Sequence, residues 1–257
     1  MIDAVVHMGY MTQRHMMSLL RQPVLVVTKV VEPFLWFALF AAVFHRVVDI
    51  PGFGGDYVDF LTPGVVVTSA FFPSCWNGML ILQDIERGTL DRLLVTPVRR
   101  SALVTGPVMR QVISGFVPAL VIMGVGLLLG ARYEGGVVGV AVFLLAVAAF
   151  GFAISMFSNF VALLVRKEET LVGLVNFSMM PLTFLSTTFM PDHLVPGWVS
   201  AVARCNPVNW AVEVGRQTLG DGPDWGLVFI RLGLLTGLGM LLMSAAVRAL
   251  GAYQRDA

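Results

Sequence analysis

VVGVAVFLLAVAAFGFAISMFSNFVALLV, residues 137–165, contains no charged side chain and no proline. A helix over this stretch would be about 44 Å long, against a hydrocarbon core of roughly 30 Å. It reads as a membrane-spanning helix. Five further apolar blocks reach spanning length: Val24–Phe44, Phe60–Leu82, Ser101–Leu129, Thr170–Phe189 and Leu227–Val247. Only 13% of the 257 residues are charged, 57% are hydrophobic, and the mean hydropathy is +0.81. A soluble domain carries about 25% charge. The expected fold is therefore all-α and integral to the membrane, with six transmembrane helices.

Six spans leave no loop long enough for a separate soluble enzyme. The net charge of +1 gives no basis for binding nucleic acid. Cys75 lies inside the second block and Cys205 in a later loop, so neither a disulfide nor a thiolate metal site is expected. The N-terminal segment lacks the pattern of a cleavable signal.

Basic residues set the orientation. With the N-terminus inside, the inner segments hold Arg14, Arg21, Arg87, Arg92, Arg99, Arg100, Arg166, Lys167, Arg248 and Arg255. The outer loops hold Arg46, Arg132, Arg204 and Arg216. The excess places both termini in the cytoplasm. Tyr10, Tyr57, Tyr133 and Tyr253 all fall at expected interfaces, as an aromatic belt would require.

Residues 2–22 read as an amphipathic helix lying in the inner interface, ended by Pro23. The chain thus divides into this N-terminal amphipathic helix, 1–23, and a six-span region, 24–257. In the first span Lys29 and Glu32 stand one turn apart on one face. A charge at that depth needs a partner or water, and two uses are open to the pair, mutual neutralisation or a proton relay. In the second span Pro73 is expected to break the helix and free a carbonyl, which Asn77 or a neighbouring helix would satisfy.

Between the second and third spans runs the most polar stretch, QDIERGTLDRLLVTPVRR, residues 83–100. Leu90, Leu93 and Leu94 form an apolar face against Asp91 and Arg92, a small amphipathic helix at the inner surface. Topology alone does not require such a helix, and it has the character of a docking element. A second inner loop, Arg166-Lys167-Glu168-Glu169, follows the fourth span. After the fifth, the segment from Pro191 to Trp225 is too polar to span yet contains Trp198, Trp210 and Trp225. Its two weak apolar pieces, Leu194–Ala203 and Val208–Val214, are split by Asn206-Pro207. Helices that dip into the outer leaflet and return account for the tryptophans.

No Gly-Lys-Ser/Thr phosphate loop occurs, so the chain has no such site for ATP. The motifs His-Glu-x-x-His and Gly-x-Ser-x-Gly are also missing, and the four histidines are scattered. Work against a gradient would draw on an ion or on a partner chain.

The inner run Asp84-x-Glu86-Arg87-Gly88-Thr89-Leu90-Asp91-Arg92-Leu93-Leu94-Val95-Thr96-Pro97-Val98 resembles the signature of type-2 ABC exporter permeases, in the branch of the daunorubicin/doxorubicin-resistance permeases. Arg14-x6-Arg21-Gln22-Pro23, Phe60-Leu61-x-Pro63-Gly64, and Met190-Pro191, Pro196-x-Trp198, Asn206-Pro207 and Arg216 are similar to the family elsewhere. This resemblance implies two permease chains around a central path, set in membrane lipids. It also implies cytoplasmic ATPase subunits that hold the ATP and Mg, with no cofactor on this chain. The coupling helix would map to Glu86–Val98, with Glu86, Arg87, Gly88, Thr89, Leu90, Asp91, Arg92, Leu94 and Pro97 as contacts to the ATPase. Arg166, Lys167 and Glu168 would form a secondary inner contact. Trp198, Asn206, Pro207, Trp210 and Arg216 would belong to an outer re-entrant gate over Leu194–Ala203 and Val208–Thr218. The function implied is export of a hydrophobic small molecule or a lipid. A proton-coupled carrier working through Lys29 and Glu32 is the alternative.

Overall fold

The computed structural model describes residues 23–44, 57–94, 100–188 and 196–256. The expected amphipathic helix over 2–22, residues 95–99 with Pro97, and Met190-Pro191 lie outside the described residues. So do the side chains of Lys29, Asp91 and Leu94.

Every regular element among the described residues is a helix. In chain order these are α1 (Pro23–Phe44), α2 (Tyr57–Cys75), α3 (Gly78–Glu86), α4 (Thr89–Leu94) and α5 (Arg100–Leu128). Then follow α6 (Gly136–Val165), α7 (Glu168–Phe184), α8 (Gly197–Ala203), α9 (Pro207–Leu219) and α10 (Trp225–Asp256). Four stretches are long and apolar enough to cross a membrane: Tyr57–Glu86, Ser101–Leu128, Gly136–Val165 and Trp225–Gln254. At the other two expected spans stand α1, 22 residues long, and α7, 17 residues long.

The opening stretch, now α6, is the axis of the bundle. Helices α2, α3, α5, α9 and α10 all pack on it, while α1 lies outside against α2 and α5. A helix apolar on every side suits this central position. Phe143 and Phe150 are fully buried along it, and Phe150 stacks on Phe71 of α2 at 5.9 Å between ring centroids. A second core cluster closes the opposite end, where Ile81, Leu90, Leu103, Leu163, Leu250 and Tyr253 meet.

Three local expectations change. Tyr57 and Tyr253 are buried against protein instead of facing an interface, and the Tyr133 hydroxyl donates to the Met123 carbonyl at 2.8 Å. Helix α7 stops at Phe184 and does not reach Phe189, because Thr187 and Thr188 are drawn into hydrogen bonds with α9. Glu86 does not belong to the short polar helix: it closes α3, and Gly88, at φ 63°, turns the chain before α4 begins. That left-handed conformation suits glycine and strains other residues.

Candidate functional site

At one end of the bundle α3 and α4 form an elbow around Arg87-Gly88. The Arg87 N–H donates to the Gln83 carbonyl at 3.1 Å and the Gly88 N–H to the Ile85 carbonyl at 2.9 Å, which closes α3. Leu90 is buried in the second core cluster and pins α4 to the ends of α5, α6 and α10. Glu86, Arg87 and Arg92 remain exposed. At the same end Arg166 caps α6 in a left-handed conformation, φ 54°, and its guanidinium lies 4.9 Å from the centre of the Tyr253 ring. Lys167 and Glu168 beside it are exposed. This end thus presents charged groups of both signs on a surface fixed by apolar anchors.

The elbow connects to the interior through the break between α2 and α3. Helix α2 continues past Pro73 to Cys75, whose carbonyl accepts from the Ser158 hydroxyl of α6 at 2.5 Å. The same hydroxyl accepts the Gly78 N–H at 2.9 Å. Asn77 donates to the Asn159 side-chain oxygen at 3.0 Å, and Asn159 donates to the Val104 carbonyl of α5 at 3.3 Å. The carbonyl that the missing Pro73 N–H leaves free is that of Ser69, four residues back; the bond from α6 goes instead to the Cys75 carbonyl at the end of α2, and Asn77 bonds Asn159. Gly78 is required by closeness: a Cβ there would stand 2.5 Å from the Ser158 carbonyl oxygen.

At the opposite end the Asn206-Pro207 turn after α8 and the helix α9 pack over the end of α7. The Asn206 amide donates to the carbonyls of Leu182 and Leu185, at 2.7 and 2.9 Å, and its oxygen caps α9 by accepting the Val208 N–H at 3.0 Å. Pro207 occupies the first helical turn, where its missing N–H costs nothing. Asn209 accepts from the N–H and hydroxyl of Thr187 and donates to Glu213, which pairs with Arg231 of α10 at 2.6 Å. Arg216 donates to the Thr187 hydroxyl at 2.9 Å and to the Thr187 and Thr188 carbonyls at 2.5 and 3.3 Å. Trp210 donates to the Arg204 carbonyl at 2.6 Å, whereas Trp198 is exposed. Of this network the sequence pointed to Asn206, Pro207, Trp210 and Arg216. Thr187, Asn209, Glu213 and Arg231 were missed, although the spacing of Asn209, Glu213 and Arg216 on one helical face was available.

Between the two ends a groove of about 530 Å³ opens among α1, α2 and α7. Trp36, Phe40, Phe72, Trp76 and Phe184 line it with Met179, Met180 and Glu32. Nothing in the sequence had joined these three helices.

Residues 7–219 match the family model described as ABC-2 type transporter. The chain is 28% identical over 234 residues to the daunorubicin resistance ABC transporter permease protein DrrB1 of Streptomyces coeruleorubidus, covering 90% of this chain and 82% of the relative. It is 30% identical over 209 residues to the ycf38 protein of Cyanophora paradoxa, named as a transport permease, covering 79% and 70%. Over 163 residues it is 26% identical to a protein of Mycobacterium tuberculosis named "Probable doxorubicin resistance ABC transporter permease protein DrrC", covering 63% and 59%.

Proposed function

The chain belongs to the ABC-2 type transporter family, and on that premise we propose that it is the membrane-spanning permease subunit of an ATP-driven exporter. It moves a hydrophobic small molecule or a lipid out of the cell. The observation that carries this reading is the α3–α4 elbow: Leu90 is fixed in the core while Glu86, Arg87 and Arg92 stand exposed beside it. An exposed charged corner on a rigid base can take a push from a partner and pass it on.

The partner is a separate cytoplasmic ATPase that binds ATP and Mg. Its groove receives Glu86, Arg87, Gly88, Thr89, Asp91, Arg92, Leu94 and Pro97, and Arg166, Lys167 and Glu168 make a second contact; Leu90, expected among these contacts, is instead buried in the core cluster and holds the elbow from inside. In this reading the six spans are α1, α2 together with α3, α5, α6, α7 and α10, with residues 1–23 as a connecting helix at the inner surface. The excess of basic residues at the elbow end puts both termini in the cytoplasm. Asn77, Ser158 and Asn159 tie the base of the elbow to α5 and α6, so movement of α4 reaches Trp76 on the groove wall. A second permease chain completes the path, and the assembly sits in membrane lipid. Trp198, Asn206, Pro207, Trp210 and Arg216 form the outer gate.

The test is to co-express and purify the chain with an ABC ATPase from the same genome and to screen lipids and hydrophobic drugs for stimulated hydrolysis. Cargo-stimulated hydrolysis that disappears in Glu86→Ala and Arg87→Ala is the expected result. An ATPase that neither copurifies nor responds to any cargo would remove the reading.

A further inference from the structure

The groove among α1, α2 and α7 is chemically one-sided. Glu32 is the sole ionisable side chain in its lining, and among the described residues no cationic group faces it. Three hydroxyls line the wall, and each gives its proton to its own helix. Thr68 donates to the Val65 carbonyl at 3.0 Å, Ser69 to the Val66 carbonyl at 2.7 Å and Thr183 to the Met179 carbonyl at 2.9 Å. What they turn toward the groove is therefore lone pairs. The remaining wall is ring, thioether and aliphatic, with one neutral amide, Asn176. Trp36 stacks on Phe40 at 5.7 Å, and Phe72, Trp76 and Phe184 complete the aromatic lining. Aromatic faces carry negative quadrupole potential and attract cations. Glu32 lies about 14 Å along α1 from its first residue, and with α1 read as a span that position keeps its carboxylate away from bulk water. A carboxylate at that depth calls for a positive partner.

We propose that the groove is a binding site for hydrophobic cations, with Glu32 as the charge-selecting residue. The ligand class is an apolar or aromatic body carrying one positive charge, such as a protonated amine. The proposal rests on reading this groove as part of the cargo path, and it deepens that reading by naming what the path prefers.

The probes are tetraphenylphosphonium and tetraphenylborate, which share size and shape and differ in the sign of charge. The chain is purified in detergent with its ATPase, and each ion competes against radiolabelled tetraphenylphosphonium. The cation is expected to compete about tenfold or more better than the anion. Glu32→Gln should bring the two within about twofold, and Glu32→Asp should keep the preference. A preference unchanged in Glu32→Gln overturns the proposal. So does a wild-type chain that binds no cation saturably while its ATPase still responds to other cargo, a result that leaves the permease reading standing.

Lys29, one turn away, supplies the discriminating control. If Glu32 only neutralises Lys29, then Lys29→Gln combined with Glu32→Gln restores the wild-type ratio and the proposal falls. A ratio that stays collapsed in the double variant supports charge selection by Glu32.

Discussion

The guanidinium carbon of Arg216 lies 3.7 Å from the centre of the Phe60 ring, so a cation on α9 rests on an aromatic face at the start of α2. The same guanidinium holds the Thr187 and Thr188 carbonyls beyond the end of α7. One side chain thereby joins three elements: α9, the beginning of α2 and the chain just beyond α7. Its Nε is buried without a partner among the described residues.

This geometry makes a prediction about Arg216. Truncation in Arg216→Ala leaves two carbonyls and a ring without their cation and should cost about 2–4 kcal/mol of stability. Arg216→Lys should recover less than half of that, because an ammonium lacks the planar fork that bonds and stacks at once. Thermal unfolding of the purified chain in detergent measures both. Full recovery by lysine would show that charge alone matters there.

Asn206 can be dissected by two substitutions. Asn206→Asp keeps the acceptor that caps α9 and removes the donors to Leu182 and Leu185. Asn206→Ala removes both functions. The loss of the cap should cost about 1 kcal/mol, and the unmet carbonyls about 1–3 kcal/mol more. The aspartate variant should therefore melt between wild type and alanine. Equal melting temperatures for wild type and Asn206→Asp would mean that the carbonyl bonds contribute nothing.

Glu86 and Arg87 are expected to act in coupling, and Leu90 in folding. Glu86→Ala or Arg87→Ala should lower transport strongly at normal abundance, since breaking one side of a partly desolvated contact costs about 2–5 kcal/mol of association. Leu90→Ala should cost about 2–4 kcal/mol of stability by opening a cavity in the core cluster. Abundance by immunoblot and ATPase pull-down separate the two effects. Normal transport and normal pull-down in both charge variants would remove the docking role.

Much of the spanning architecture was legible in composition and length, because a bilayer imposes both. The short polar helix was legible too, because Leu90 and Leu94 stand one turn apart beside Asp91 and Arg92, whereas the turn at Gly88 that leaves Glu86 on the preceding helix was not. What the sequence concealed depends on contacts across many residues. Ser158 and Asn159 look like ordinary small polar residues in an apolar helix until Cys75, Asn77 and Gly78 are placed beside them. The groove is hidden for the same reason, since α1, α2 and α7 are far apart in sequence. The end of α7 was misread because hydropathy counted the residues 185–189 as span, while Thr187 forms bonds to Asn209 and Arg216 that a lipid-facing helix would not make.

Trp210 tests whether the segment at the α9 end lies in the membrane. With the other four tryptophans replaced by phenylalanine, its fluorescence should be quenched by brominated lipid and little by aqueous iodide. Trp210→Ala should reduce export and leave ATPase association intact. Ready quenching by iodide alone would make the segment an exposed loop.

The central claim is ATP-driven export through this chain, and inside-out membrane vesicles test it most directly. Vesicles containing the chain and its ATPase should accumulate a hydrophobic cargo when given ATP and Mg. Accumulation should stop when the ATPase is omitted and persist when a protonophore collapses the proton gradient. Accumulation that needs no ATPase and vanishes with the protonophore would contradict the account and mark the chain as a proton-coupled carrier.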